Sequence, residues 1–440
     1  MIKSPMMRLT SLFICMLCLS TLPIFVGCSA RPAPSPPVEI ELDGLLIRGQ
    51  GGVFTASELF HQGVGAFEGQ EFARCEEQLT LYLEHFKEGQ FAHSAHYNLG
   101  LCLELQRKYK GAAEHFEAYV RGSTSKTDRI DGEVRQGYNL IYSGEGARAL
   151  PIYTRLLTEE SLVGFDRAEC HLRRGMAHIL VKAYAKADRD FSQAFSHINS
   201  NLGNRAEGNE PLAEVQFQRG ELYREQMSEI ALIFPIERMR RQMIDKILFF
   251  KKSLYAYVAS IEVHHAYWAT AAGHQLGVLH EEIFEDIVSA ERPKDFDDEM
   301  LAYYYFELDK KLAPLLRESI SIYEKTLTLS SKKGIQNEWI ESTQLHLKHI
   351  RSLEEALQRR LMIDPLEAFK LREPTKPRVR ASLFTPFGGP RSRAPTPSLV
   401  KSKSGQSSPD APDEADDQTP PDTPDEADDQ TPPELAPKEI

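Results

Sequence analysis

The chain has 440 residues, 41% apolar and 26% charged, with 64 acidic against 52 basic side chains for a formal net charge of −12. That length allows two or three ordinary domains or one extended array. Residues 404–440 carry twelve acids and one lysine, nearly all of the excess, so the rest is close to neutral and bulk charge gives no pull toward nucleic acid.

At the start, Lys3 and Arg8 precede an apolar run from Leu9 to Val26, too short and wrongly flanked for an ordinary spanning helix. Residues 1–27 therefore read as a signal peptide. Phe25-Val26-Gly27-Cys28 resembles the lipobox of bacterial lipoproteins, with Phe25 where leucine is usual. The resemblance implies cleavage before Cys28 and its acylation, palmitate being the expected type of chain; ordinary secretory cleavage elsewhere is the alternative. Two or more acyl chains give stable anchoring, each buried CH₂ contributing roughly 0.8 kcal/mol. Ser29 stands where an aspartate would resemble an inner-membrane retention signal, which points to the periplasmic face of the outer membrane.

Residues 28–54 read as a linker. Arg31–Pro37, RPAPSPP, favours extended polyproline geometry. Val38, Ile40 and Leu42 alternate with Glu39 and Glu41, which predicts a short strand or hairpin, isolated and marginal because of glycines at 49, 51 and 52.

Residues 55–200 carry a period. Ser94–Val120, SAHYNLGLCLELQRKYKGAAEHFEAYV, places Leu99 and Gly100 within one helical run, Tyr109 at a turn, and Ala112, Phe116 and Tyr119 on a second run. Shifting the chain against itself aligns Gly63, Gly100, Gly137 and Gly175, spaced 37, 37 and 38 residues. The small position downstream reads Cys75, Ala112, Ala149 and Ala187, and the large position after it Leu79, Phe116, Tyr153 and Phe191. These residues resemble the tetratricopeptide (TPR) consensus, which recurs over about 34 residues. The resemblance implies an all-α superhelix of helical hairpins, an α-solenoid in which each hairpin buries its apolar face on the next.

Residues 201–362 stretch the same logic. Phe217, Gly220 and Tyr223 open a fifth hairpin whose second helix, Pro235 to about Ile261, is long. A sixth opens at Trp268 with Leu276-Gly277, is interrupted by the charged stretch Ser289–Met300, and is completed by Leu312–Leu329; Trp339 to about Leu361 reads as a capping helix. YWATAAGHQLGVLHEEIF, PLLRESISIYEKTLTL and GIQNEWIESTQLHL in this part resemble TPR lipoproteins of gliding-motility and envelope complexes. A vaguer kinship, to the TPR lipoprotein of outer-membrane β-barrel assembly, rests on lipobox plus repeats.

Residues 363–440 are read as a disordered tail. Nine Lys or Arg against one acid fill 370–403, and PDEADDQTPP occurs twice in the acidic block, at Pro412 and Pro424. Neither block has the apolar content to offset the entropy of ordering. A solvated spacer is the plainer reading; the functional one is a basic stretch resting on anionic lipid, with the acidic repeats engaging a basic partner or masking that stretch.

No catalytic constellation and no cofactor motif are present: no GxxxxGK[ST], no GxSxG and no HExxH. His264, His265, His274 and His280 are the densest histidine group, but six residues separate the last two, which puts them on different helix faces. They read as ordinary buried or surface histidines, with a metal-dependent hydrolase as the remote alternative. Tyr303-Tyr304-Tyr305-Phe306 reads as packing. In the mature chain Cys75, Cys102 and Cys170 sit at packing positions and read as small buried hydrophobes; an exported chain is able to form one disulfide from them.

What such an array offers is a concave face lined by the first helix of each hairpin. By repeat position the lining is Phe60, Val64 and Phe67, then Tyr97, Leu101 and Leu105, then Val134, Tyr138 and Tyr142, then Leu172, Met176 and Ile179, with Arg135 and Arg173 as charged flanks. Tyr97 and Leu101 stand where carboxylate-gripping TPR clamps use Lys and Asn, so an apolar groove for a partner helix or strand is expected. The alternative is that neighbouring hairpins or the N-terminal segment cover these side chains. The expected function is a membrane-anchored, non-catalytic scaffold for envelope proteins.

Overall fold

The computed structural model describes residues 47–49, 52–203 and 206–372. The signal peptide, Cys28, the strand expected at 38–42 and the tail beyond 372 lie outside them. A short antiparallel hairpin comes first, β1 (Ile47–Gly49) and β2 (Gly52–Phe54), with Ile47 opposite Phe54.

Four regular hairpins follow: α1 (Ala56–Glu68) with α2 (Phe72–His85), α3 (Ala92–Leu105) with α4 (Tyr109–Gly122), α5 (Lys126–Tyr142) with α6 (Gly146–Leu156), and α7 (Gly164–Leu180) with α8 (Tyr184–Leu202). Thr55 starts the array with a reciprocal cap. Its hydroxyl accepts from the Glu58 N–H at 3.2 Å, and the Glu58 carboxylate accepts from the Thr55 N–H at 2.8 Å. Inside each hairpin the turn uses one left-handed residue, seven positions after the repeat glycine: Gln70, Arg107, Gly144 and Lys182, at φ 61°, 61°, 84° and 57°. The next N–H then reaches back to satisfy an orphan carbonyl, as Lys108 does to Leu103 at 2.9 Å and Ala183 to His178 at 2.8 Å.

The repeat glycine exists because the partner helix comes too close for a side chain. A β-carbon on Gly63, Gly100, Gly137 or Gly175 would lie 2.6, 2.9, 2.6 or 2.5 Å from Leu79, Phe116, Tyr153 or Phe191 respectively. The same contact recurs at Gly220 under Tyr257 and Gly277 under Tyr323. The hairpin logic therefore continues through α9 (Glu210–Ser228) with α10 (Ile236–Glu262), and α11 (Ala266–Val288) with α12 (Asp298–Lys332), before α13 (Glu338–Leu361) and α14 (Pro365–Lys370).

Three details differ from the sequence expectation. The charged interruption ends at Asp297, whose carboxylate accepts from the Met300 N–H at 2.8 Å and so starts α12. Leu312–Leu329 is thus the distal half of one 35-residue helix. The folded part extends past residue 363, because α14 docks on α12. Cys75 and Cys102 are joined in a disulfide that ties α2 to α3, with Cα atoms 6.3 Å apart, rather than standing as two thiols. Cys170 stays a buried free thiol, pushed up to about 12 by burial and then by Glu169.

The core forms three clusters of buried side chains, one over α1–α4, the largest reaching from Ala113 to Trp339, and one over α11–α13. Trp339, in the first turn of α13, is 2% exposed, with ring centroids 6.1 Å from Phe217 and 5.5 Å from His274. The last long helix caps the array with one end driven into it.

Candidate protein-binding face

The first helices of successive hairpins meet through buried charge. Glu104 on α3 accepts from the Asn139 amide on α5 at 2.8 Å and lies 3.7 Å from the Arg135 guanidinium. Arg135 Nε donates to the Tyr97 hydroxyl at 3.1 Å, which donates in turn to Asp131 at 2.6 Å. Arg173 on α7 pairs with Glu214 on α9 at 2.5 Å, Arg224 on α9 with Glu282 on α11 at 2.7 Å, and Glu281 on α11 accepts from the Tyr323 hydroxyl at 2.6 Å and contacts His346 on α13 at 3.2 Å. A charge removed from water is tolerated when paired and hydrogen-bonded, and each pair here joins two different elements. The ladder thereby selects one stacking arrangement among the helices.

That ladder occupies much of the expected groove. Phe60, Val64, Tyr97, Leu101, Arg135, Arg173 and Met176 are between 0% and 6% exposed, so they are seams between hairpins and not an open lining. Phe67, Leu172 and Ile179 are buried as well. The physical reason is the close approach of neighbouring first helices, which buries the residue after the repeat glycine at Val64, Leu101 and Met176 and leaves Tyr138 half-buried. Arg135 and Arg173 do not flank a groove; their carboxylate partners hold them inside.

What stays accessible is narrower. Leu105, Tyr138 and Tyr142 are half-buried, as is Val134. The ring of Tyr142 lies 4.6 Å from that of Tyr138 and 5.3 Å from that of Tyr109. Behind them the Arg173 guanidinium sits 5.3 Å from the Tyr138 ring centre, a cation–π contact that holds the ring from its inner side. Burial, then the neighbouring Tyr142, pushes the Tyr138 hydroxyl well above its ordinary pKa. Across the array Arg107 meets Glu338 at 3.9 Å, and Tyr267 donates to Glu338 at 3.3 Å. Tyr109, Arg107, Tyr267 and Glu338 were not expected here. Tyr109 stands at the consensus turn position, a usable signal, but the meeting of residues 107 and 338 has none in the sequence.

The other candidates have structural partners. His274 is 4% exposed with Nδ1 3.1 Å from the Thr343 hydroxyl, and burial, then His346, pushes it down to about 3. His280 Nδ1 lies 2.8 Å from the Leu276 carbonyl, and His265 caps α11. Among the described residues no group of three or more His, Cys, Asp or Glu is placed to hold a metal, and no helix is long and apolar enough to cross a membrane.

Hairpin phase, the contact of a helix glycine with a large side chain and the stacking of first helices define an all-α superhelix of the TPR type. No protein-family model matches the chain, and no curated protein matches it. Among solved structures it is similar to a tetratricopeptide repeat protein from Parabacteroides merdae, at 15% identity over 67% of this chain and 98% of that one, TM-score 0.33. It is also similar to the apo form of RapI (13%, 72% and 97%, TM-score 0.38) and to a TPR repeats protein from Bacteroides fragilis (15%, 70% and 99%, TM-score 0.23). The superhelix is defined by the chain's own geometry, not by these likenesses.

Proposed function

We propose that the protein is a non-catalytic scaffold that captures another protein on the tyrosine cluster of its inner face. The observation that carries this reading is the half-buried trio Tyr109, Tyr138 and Tyr142 beside Leu105, rings backed by a buried arginine and left partly open. Preorganised tyrosines of this kind offer large contact area at low entropic cost. The partner it suits is a helix or extended segment that seats an apolar side chain among the rings.

The setting we propose comes from the sequence alone: acyl chains on Cys28 hold the array at the periplasmic face of the outer membrane, where it serves an envelope complex, and the gliding-motility resemblance names one such setting. Confinement to a surface raises the effective concentration of partner and scaffold together. Nucleic acid is not part of this reading.

Site-specific photocrosslinking in cells tests it. A photoreactive residue at Tyr142 should give discrete adducts with envelope proteins, while the same residue at the exposed outer position Tyr255 should not. Adducts of equal pattern from both positions would contradict the assignment of the inner face. Cys28→Ala should move the protein from the membrane to the soluble fraction; unchanged membrane association would remove the anchor from the account.

A further inference from the structure

The loop before α12 and the first turns of that helix enclose an open groove of about 670 Å³, lined by Phe296, Met300, Tyr303, Tyr304 and Leu308 and rimmed by Asp297, Glu299, Glu307 and Lys311. Its apolar residues face solvent: Phe296, Met300 and Tyr303 are 38%, 52% and 56% exposed. Spacings of three and four residues put Met300, Tyr303 and Glu307 on one helix face.

Next to it, the same helix already holds a ligand of a definite kind. The ring of Phe369 stacks on Tyr305, centroids 5.9 Å apart at 17°, and the Arg372 guanidinium lies 4.4 Å over the Tyr305 ring with one nitrogen 2.5 Å from an Asp309 oxygen. The receptor is a tyrosine with a carboxylate four residues on; the docked segment brings an aromatic ring and an arginine. Tyr303 and Glu307 repeat that receptor with the same spacing inside the groove, and Tyr304 joins the two sites, its ring 5.2 Å from that of Tyr305. In sequence, the described chain leaves this place at Arg372, and it continues with Arg378 and Arg380 followed by Leu383, Phe384 and Phe387.

We infer that the groove is the docking site of the chain's own basic–aromatic stretch, residues 378–387. Charge complementarity selects it: the rim sets Asp297, Glu299 and Glu307 against Lys311, with Glu307 also 3.9 Å from Lys310, so it stays acidic on balance and suits the arginines, while Phe384 and Phe387 cover Met300 and Tyr303. Reach is sufficient, since the segment begins six residues beyond Arg372 and an extended chain spans about 3.3–3.6 Å per residue. The acidic block is not an alternative occupant, because PDEADDQTPP has no large apolar side chain and would set carboxylate against carboxylate. Docking holds these arginines away from anionic lipid, and it is independent of which partner the inner face takes.

Limited trypsinolysis of the full chain tests this, with Arg391 and Arg393 as controls inside the same tail. Cleavage after Arg378 and Arg380 should be at least tenfold slower than after Arg391 and Arg393. Met300→Asp with Tyr303→Asp, both solvent-facing, should bring all four sites to one rate. Phe384→Ala with Phe387→Ala, which leaves the helical array untouched, should do the same. Equal rates at the four sites in the unaltered chain would overturn the inference, and so would protection that survives both pairs of changes. Protection that rises with protein concentration would place a second copy in the groove and overturn it as well.

Discussion

The hairpins from Ala56 to Leu202 and the longer elements from Glu210 to Leu361 bury one shared contact, a helix glycine beneath a large side chain of the next helix, yet they are built to different rules around it. In the first region helices run from 11 to 19 residues and hairpin turns recur in phase on one left-handed residue. In the second, helices reach 27 and 35 residues, and hairpin loops of other lengths replace that turn. The glycine contact sets how two helices meet; their length beyond it is free to vary. The regions also differ in cross-links. A disulfide staples the first two hairpins in addition to buried pairs such as Arg135–Glu104, whereas the second region has buried pairs such as Lys246–Asp286 at 2.6 Å and Arg360–Asp309 at 2.9 Å.

The joint between the regions is the place to break this comparison hardest. Arg173→Met strands the Glu214 carboxylate, whose side chain is 1% exposed, and should cost about 4 kcal/mol in urea unfolding. Adding Glu214→Leu should recover most of it. An unchanged midpoint in the single variant would show that the ladder does not hold the regions together.

Cys75→Ala with Cys102→Ala opens a loop of sequence separation 27 and should cost about 3 kcal/mol, felt in the first region. Both tryptophans, Trp268 and Trp339, lie in the second region. Circular dichroism should therefore shift to lower denaturant while tryptophan fluorescence moves less. Coincident shifts would show one cooperative unit.

The second region has its own pH lever in His274. Its folded-state pKa is depressed to about 3, so between pH 6.5 and 3 the unfolded chain binds a proton that the fold refuses. Stability is intact above the unfolded value and falls as pH drops, by about 1.4 kcal/mol per pH unit. His274→Gln should flatten that slope between pH 6 and 4, read by urea midpoints.

The smallest effect sharpens the turn rule. Gln70→Gly relieves a left-handed non-glycine residue at φ 61° and should stabilise the first region by about 0.5–1 kcal/mol. A loss of stability would mean that the glutamine side chain, not the backbone, decides that turn.

The period was legible because each hairpin repeats a local contact, so Gly63 to Gly175 and their partners Leu79 to Phe191 could be aligned by shifting the chain on itself. Gly220 and Gly277 were legible for the same reason despite altered spacing. The disulfide, the Arg107–Glu338 contact and the burial of Trp339 were not. They depend on how far the array curls, a sum of small rotations that no single residue encodes. The inner face was read too generously as to how much of it stays open, since Phe60, Tyr97 and Leu101 are buried between hairpins. Arginine at 135 and 173 looks alike on a surface and in a buried pair; only Glu104 and Glu214, 31 and 41 residues away, decide between them.

The most direct measurement is partner capture by the Tyr138→Ala, Tyr142→Ala double variant, read beside its thermal unfolding. Crosslinked adducts at the inner face should be lost while unfolding stays cooperative and its midpoint moves by only a few degrees. Adducts that persist with the rings removed, or a collapse of the midpoint showing that the rings are core, would contradict the claim that this cluster is where the partner binds.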